Sequence, residues 1–160
     1  MRFPVQILLT AFVLIIGWKH AAGAEAFKAD TVTVEVKGTD ADARFDPVVV
    51  KVKPDEVIQF VVREGWHTVT AYHPKNRRPK RIPSAAKPFD SGLMAEGARW
   101  FLTIIHEGVY DYFCLPHEKI GHVGRIIAGS LDDAVNYPEA ELSSTVLQKL
   151  STETEQFLNQ

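Results

Sequence analysis

The chain has 160 residues, 46% of them hydrophobic, with 18 basic and 20 acidic side chains for a formal charge of −2, and a single cysteine. This near balance offers no basic footprint for nucleic acid, and one cysteine excludes an intrachain disulfide framework. The length suits one domain built on one core.

Arg2 precedes an apolar run from Val5 to Trp18, followed by Ala22-Gly23-Ala24. A basic start, an apolar stretch and a small-residue site follow the order of a secretory signal peptide, expected over residues 1–24 with cleavage after Ala24. The alternative is an uncleaved anchor, since the run falls little short of the roughly 20 residues that span a bilayer. Cleavage would remove Arg2 and Lys19 and take the formal charge to about −4. No later stretch is apolar enough to span a membrane, so no stable anchor is expected after cleavage, and the compartment is periplasmic or extracellular.

After a polar stretch, Thr31 to Lys37 alternates with Val32, Val34 and Val36 on one face, the pattern of a half-buried strand. Further strands are predicted over 48–53, 57–63, 68–72, 100–105, 109–114 and 123–128. The second is bounded by Pro47 and Pro54, and Pro54-Asp55-Glu56 reads as a turn. Between Pro74 and Gly92 the rhythm breaks into a proline-rich loop carrying Lys75, Arg77, Arg78, Lys80 and Arg81. Short strands with turn signals between them predict an all-β sandwich or barrel over residues 25–130.

Residues 131–160 read differently. Leu142, Val146 and Leu150 recur every four residues, with Leu147, Phe157 and Leu158 adding apolar bulk. A helical C-terminal extension packed on the domain is predicted. Thr152 and Glu155 have capping-box spacing, from which a second short helix is expected to begin.

Cys114 has no intrachain partner, so in an oxidising compartment it is a reactive thiol, an intermolecular bridge or a metal ligand. Its surroundings point to the last. A predicted strand delivers Cys114, and within eight residues a loop presents His117 and His122 before the next strand. Thiolate is a soft donor and imidazole an intermediate one, and a trigonal His₂Cys set with a weak axial ligand is the geometry of blue-copper electron-transfer sites. A histidine from elsewhere must complete the set, and His67 stands where an irregular turn enters a strand. Trp66 and Phe113 are expected to form an apolar shield for the metal or, equally, to pack in the core. Met94 is expected in the core or on a surface patch. His73 and His106 are expected at the surface.

The run Tyr110-x-Tyr112-x-Cys114-x-Pro116-His117, with Gly121, His122 and Gly124 after it, resembles the cupredoxins, in particular the plastocyanin and pseudoazurin group. The resemblance spans roughly residues 30 to 130 and implies a Greek-key β-sandwich. It implies one copper ion, with His67, Cys114 and His117 as ligands. At the position of His122 the family pattern has methionine; an imidazole there would bind Cu(II) more strongly, and acid is expected to release it first. The implied activity is one-electron transfer, without enzymatic turnover, between redox partner proteins that dock near His117. A monomer is expected. The alternative is a periplasmic copper-binding protein for buffering, delivery or resistance; one thiolate and three imidazoles would also suit zinc. The basic loop is expected either to be a solvated loop or to steer an acidic partner.

Overall fold

The computed structural model describes residues 31–130, 137–139 and 141–160. The signal-peptide reading of residues 1–24 lies outside the described residues. Among the described residues ten strands form: β1 (Thr31–Lys37), β2 (Arg44–Asp46), β3 (Val49–Val52), β4 (Val57–Val62), β5 (Trp66–His67), β6 (Thr70–Ala71), β7 (Met94–Ala95), β8 (Arg99–Thr103), β9 (Gly108–Phe113) and β10 (Val123–Ala128). One sheet has the order β2-β1-β4-β8 and the other β3-β10-β9-β6, with β5 and β7 paired as a separate ribbon. The β1–β4 and β3–β10 pairs are parallel and the other pairs antiparallel. This is the Greek-key sandwich expected from the sequence.

Period-two alternation creates the core between the sheets. Val34 and Val36 of β1, Ile58, Phe60 and Val62 of β4, Tyr110 and Tyr112 of β9 and Ile126 of β10 all turn inward and are buried. The opposite face of the β9–β10 sheet is also covered. Its Phe113 and Val123 pack with Tyr72, Val146 and Leu150, and its Ile127 joins Val48 and Val49 with Phe157 against them. The covering element is one helix, α1 (Ser144–Leu158), capped at Ser143, whose hydroxyl accepts from the Val146 amide at 3.4 Å. Burying Val146 and Leu150 contributes about 1.5–3 kcal/mol each.

The expected second helix at Thr152 does not form separately, because α1 runs through it without a break. Phe157, two turns beyond Leu150, stays on the buried face, and a Lys149–Glu153 pair at 2.7 Å supports the intervening turn.

Burial on both faces leaves Asp111 of β9 with no water to solvate its charge. Two arginines take that role. Arg81 donates from Nε at 2.8 Å, and Arg125 donates from two nitrogens at 2.7 and 3.0 Å. Arg81 also reaches the Pro138 carbonyl, and Arg125 the Thr154 hydroxyl. This buried cluster pins both the 74–92 loop and the helix to the sheet.

Candidate metal centre

The turn between β9 and β10 is closed by its own backbone. The amide of Cys114 donates to the carbonyl of His122 at 3.0 Å, that of His117 to Cys114 at 3.0 Å, and that of His122 to His117 at 3.3 Å. Gly121 adopts φ +87°, which a side-chain-bearing residue tolerates poorly, and this lets the loop return His122 beneath His117. Three candidate donors therefore sit on one stiff loop. Gly124 then passes under the Tyr112 ring, where any Cβ would collide with it.

The fourth comes from the β5–β7 ribbon, where His67 pairs with Met94. Its ring is held from behind: Nε2–H donates to the carbonyls of Glu64 at 2.8 Å and Gly38 at 3.0 Å. That fixes the tautomer and leaves the Nδ1 lone pair facing the Cys114 sulfur at 3.6 Å. His117 Nδ1 faces the same sulfur at 3.4 Å, and the Thr68 amide donates to it at 3.4 Å.

His67, Cys114, His117 and His122 place one donor atom each within 4.8 Å of one another. Metal–nitrogen and metal–sulfur bonds near 2.0 and 2.3 Å at a tetrahedral angle separate their donors by about 3.5 Å, which the two nitrogen–sulfur distances bracket. A single ion fits.

His122 gives the strongest sign of a missing partner. It is fully buried, and among the described residues neither ring nitrogen has a hydrogen bond. Leaving such a group unsatisfied costs about 1–3 kcal/mol. The ring lies against Phe45 at 4.1 Å between centroids, against His67 at 5.1 Å and stacked with His117 at 5.8 Å. Burial, followed by the charges of His67 and His117, pushes its pKa down to about 2. In the metal-free protein, protonating this ring would place a charge where no water reaches. Burial likewise lowers the pKa of His67, and it raises that of the Cys114 thiol, with the Thr68 amide opposing.

The other candidates fall outside the cluster. His73 is half-buried and caps a turn by accepting from the Lys75 amide at 3.1 Å, and His106 is half-buried far along the sandwich. Met94 is buried in the core, as expected. Neither proposed shield performs that role. Strand alternation turns Phe113 away from the site toward Tyr72 and α1, and Trp66 is 61% exposed. The aromatic ring that shields the site is Phe45, from the three-residue edge strand β2 that the sequence reading passed over.

The basic loop also divides. Arg81 is spent on Asp111, and Arg78 makes a bidentate pair with Glu118, next to His117. Lys75, Arg77 and Lys80 remain exposed.

A two-sheet sandwich with a Cys-His₃ cluster at one end defines a mononuclear copper protein of the cupredoxin type. Residues 32–129 match the profile of the copper-binding proteins of the plastocyanin/azurin family, and the chain belongs to that family. Its cofactor is copper. Among relatives, the chain is 24% identical over 126 residues to chloroplastic plastocyanin of Silene latifolia subsp. alba, covering 78% of this chain and 76% of that one. It is 29% identical over 93 residues to pseudoazurin of Paracoccus pantotrophus, covering 58% of each. The fold superposes on the crystal structure of pseudoazurin from Methylobacterium extorquens AM1 with a TM-score of 0.61 at 22% identity, covering 80% of this chain and 99% of that one.

Proposed function

We propose that this protein is an exported one-electron carrier that holds one copper ion through His67, Cys114 and His117, with His122 as the fourth donor. The observation that carries this reading is the exposure of the four donors: three are buried and only His117 reaches the surface. Copper, when bound, supplies a one-electron couple. The chain supplies a rigid donor set and a single edge through which a partner makes contact.

That edge is flanked by exposed Leu115 and Ile120, 57% and 46% accessible. A small apolar surface suits the brief encounters of redox partners, whose interfaces fall below about 1,200 Å². The Arg78–Glu118 pair at 2.5 Å holds the basic loop beside His117, so Lys75, Arg77 and Lys80 favour an acidic partner. Export is supported by the 1–24 pattern and by a lone cysteine that a metal would protect from oxidation. In this reading the protein is a monomer without enzymatic turnover, residues 25–130 form the copper domain, and 131–160 are an extension packed on it.

His122 favours a second reading, copper buffering or delivery, because a third imidazole retains Cu(II) more firmly than a thioether. Fast electron self-exchange would support the carrier; slow exchange with very tight Cu(II) binding would support the store.

The test of ligation is the Cys114→Ser variant. The copper-loaded protein is expected to show an intense thiolate-to-copper charge-transfer band, and the variant to lose it while keeping the β-sheet circular dichroism. A band that survives the substitution removes Cys114 from the site.

A further inference from the structure

A chain of hydrogen bonds leads from the loop behind Cys114 to the surface. The Leu115 amide donates to Thr68 Oγ1 at 2.8 Å. Thr68 Oγ1 lies 2.9 Å from Thr70 Oγ1, which lies 3.0 Å from Asp90 Oδ1. Both threonines are only 4% exposed, whereas Asp90 is exposed. The same Asp90 oxygen accepts from the Gly92 amide at 3.0 Å, which pins the carboxylate in place.

Proton counting fixes the direction of this chain. A hydroxyl carries one proton, and a carboxylate only accepts. The Thr70 proton therefore goes to Asp90, the Thr68 proton goes to Thr70, and the Thr68 lone pair facing the cysteine segment takes the Leu115 amide. Every bond points the same way, from the peptide after Cys114 to the surface charge. Thr68 also donates its own amide to the Cys114 sulfur, so it grips the cysteine segment twice. Such aligned bonds polarise one another in a low-dielectric interior.

We propose that Thr70 and Asp90 are positioning residues of the metal centre: they orient the Thr68 hydroxyl so that it clamps the loop at Leu115, and they couple the Asp90 charge to the thiolate side of the site. The proposal rests on Cys114 being a copper ligand. A negative charge coupled to the site favours the more positive, oxidised form, so it holds the reduction potential down.

Asp90→Asn keeps the accepting oxygen and removes the charge; Thr70→Val keeps the shape and cuts the chain; Thr70→Ser restores the hydroxyl. Two quantities are measured: the reduction potential of the copper-loaded protein, and the exchange rate of the Leu115 amide in the metal-free protein. Asp90→Asn is expected to shift the oxidised-to-reduced ratio by about threefold to tenfold, a rise of about 30–60 mV at 59 mV per decade. Thr70→Val should raise the potential similarly and speed Leu115 exchange roughly tenfold, and Thr70→Ser should behave as wild type. Asp90→Asn added to Thr70→Val should move neither readout further. If its full shift persists in the Thr70→Val background, the charge acts through space and the relay is refuted. Unchanged potential and exchange in Asp90→Asn would refute it as well. The amide exchange needs no copper: if wild type shows no thiolate band, the ligand assignment falls, while exchange still judges the clamp.

Discussion

Replacing His122 by methionine separates what the site costs from what it does. In the metal-free protein the imidazole is fully buried with both nitrogens unpartnered among the described residues. Methionine fills similar space, has no strong polar group to satisfy, and keeps a favourable sulfur contact with Phe45. Relief of an unsatisfied polar group is worth about 1–3 kcal/mol. Metal-free His122→Met is therefore expected to be more stable than metal-free wild type by that amount, a rise in Tm of roughly 3–9 °C for a domain of this size. The pH dependence adds a signature. The folded imidazole titrates at about 2 against 6.5 when unfolded, so between these values only the unfolded chain takes up the proton. Metal-free stability then falls as pH drops below 6.5, by up to about 1.4 kcal/mol per pH unit from this residue. The methionine variant loses that share of the slope. With copper the order reverses in function: His122→Met should raise the reduction potential and move the absorption toward blue. Urea unfolding of the metal-free proteins from pH 5 to 8, followed by spectra and potentials of the loaded ones, covers both arms. If metal-free His122→Met is no more stable than wild type, the claim that the ring is an unsatisfied donor awaiting metal is wrong.

Asp111→Ala should cost about 3–5 kcal/mol by leaving Arg81 and Arg125 buried without their counter-charge, read as a drop in urea midpoint; a loss under 1 kcal/mol would show the cluster to be well solvated. Exchanging Lys75, Arg77 and Lys80 for serine should slow electron transfer to an acidic partner severalfold at low salt and flatten its salt dependence, with Arg78 and Arg81 left intact because both are engaged inside the fold. Rates that stay unchanged at low ionic strength would remove the steering role.

What was legible follows from the range of each interaction along the chain. Val34, Val36, Ile58 and Phe60 announce their strands because alternation is local, and Leu142, Val146 and Leu150 announce the start of α1 for the same reason. The Cys114–His122 loop is likewise compact, so three donors could be named from one segment and His67 added by chemistry. One failure is local, since the capping-box pair Thr152 and Glu155 lies inside a continuous helix; the others involve partners distant in sequence. Arg81 resembles its exposed neighbours in a basic run, and only the fold brings it to Asp111, 30 residues on. Phe45 sits in a strand of three residues, too short to show a period, yet its ring covers His122. Thr68 and Thr70 read as ordinary β-branched strand residues, and Asp90 as a polar residue in a proline-rich loop; nothing local tells that their oxygens align.

The same division explains how the site is built. The loop supplies donors with fixed mutual spacing, but a loop alone would relax around whatever metal it met. Its rigidity comes from elements remote in sequence: the Gly38 and Glu64 carbonyls behind His67, Phe45 against His122, Thr68 at Leu115, and α1 packed beside Gly121. Each contact constrains one donor or its peptide from a different direction. If copper is held as proposed, a donor set constrained this way would change little between oxidation states, which would lower the reorganisation needed to pass an electron. With His122 as the proposed fourth donor, a third imidazole in such a frame would alter the potential and the affinity of the centre while leaving the scaffold that positions it unchanged.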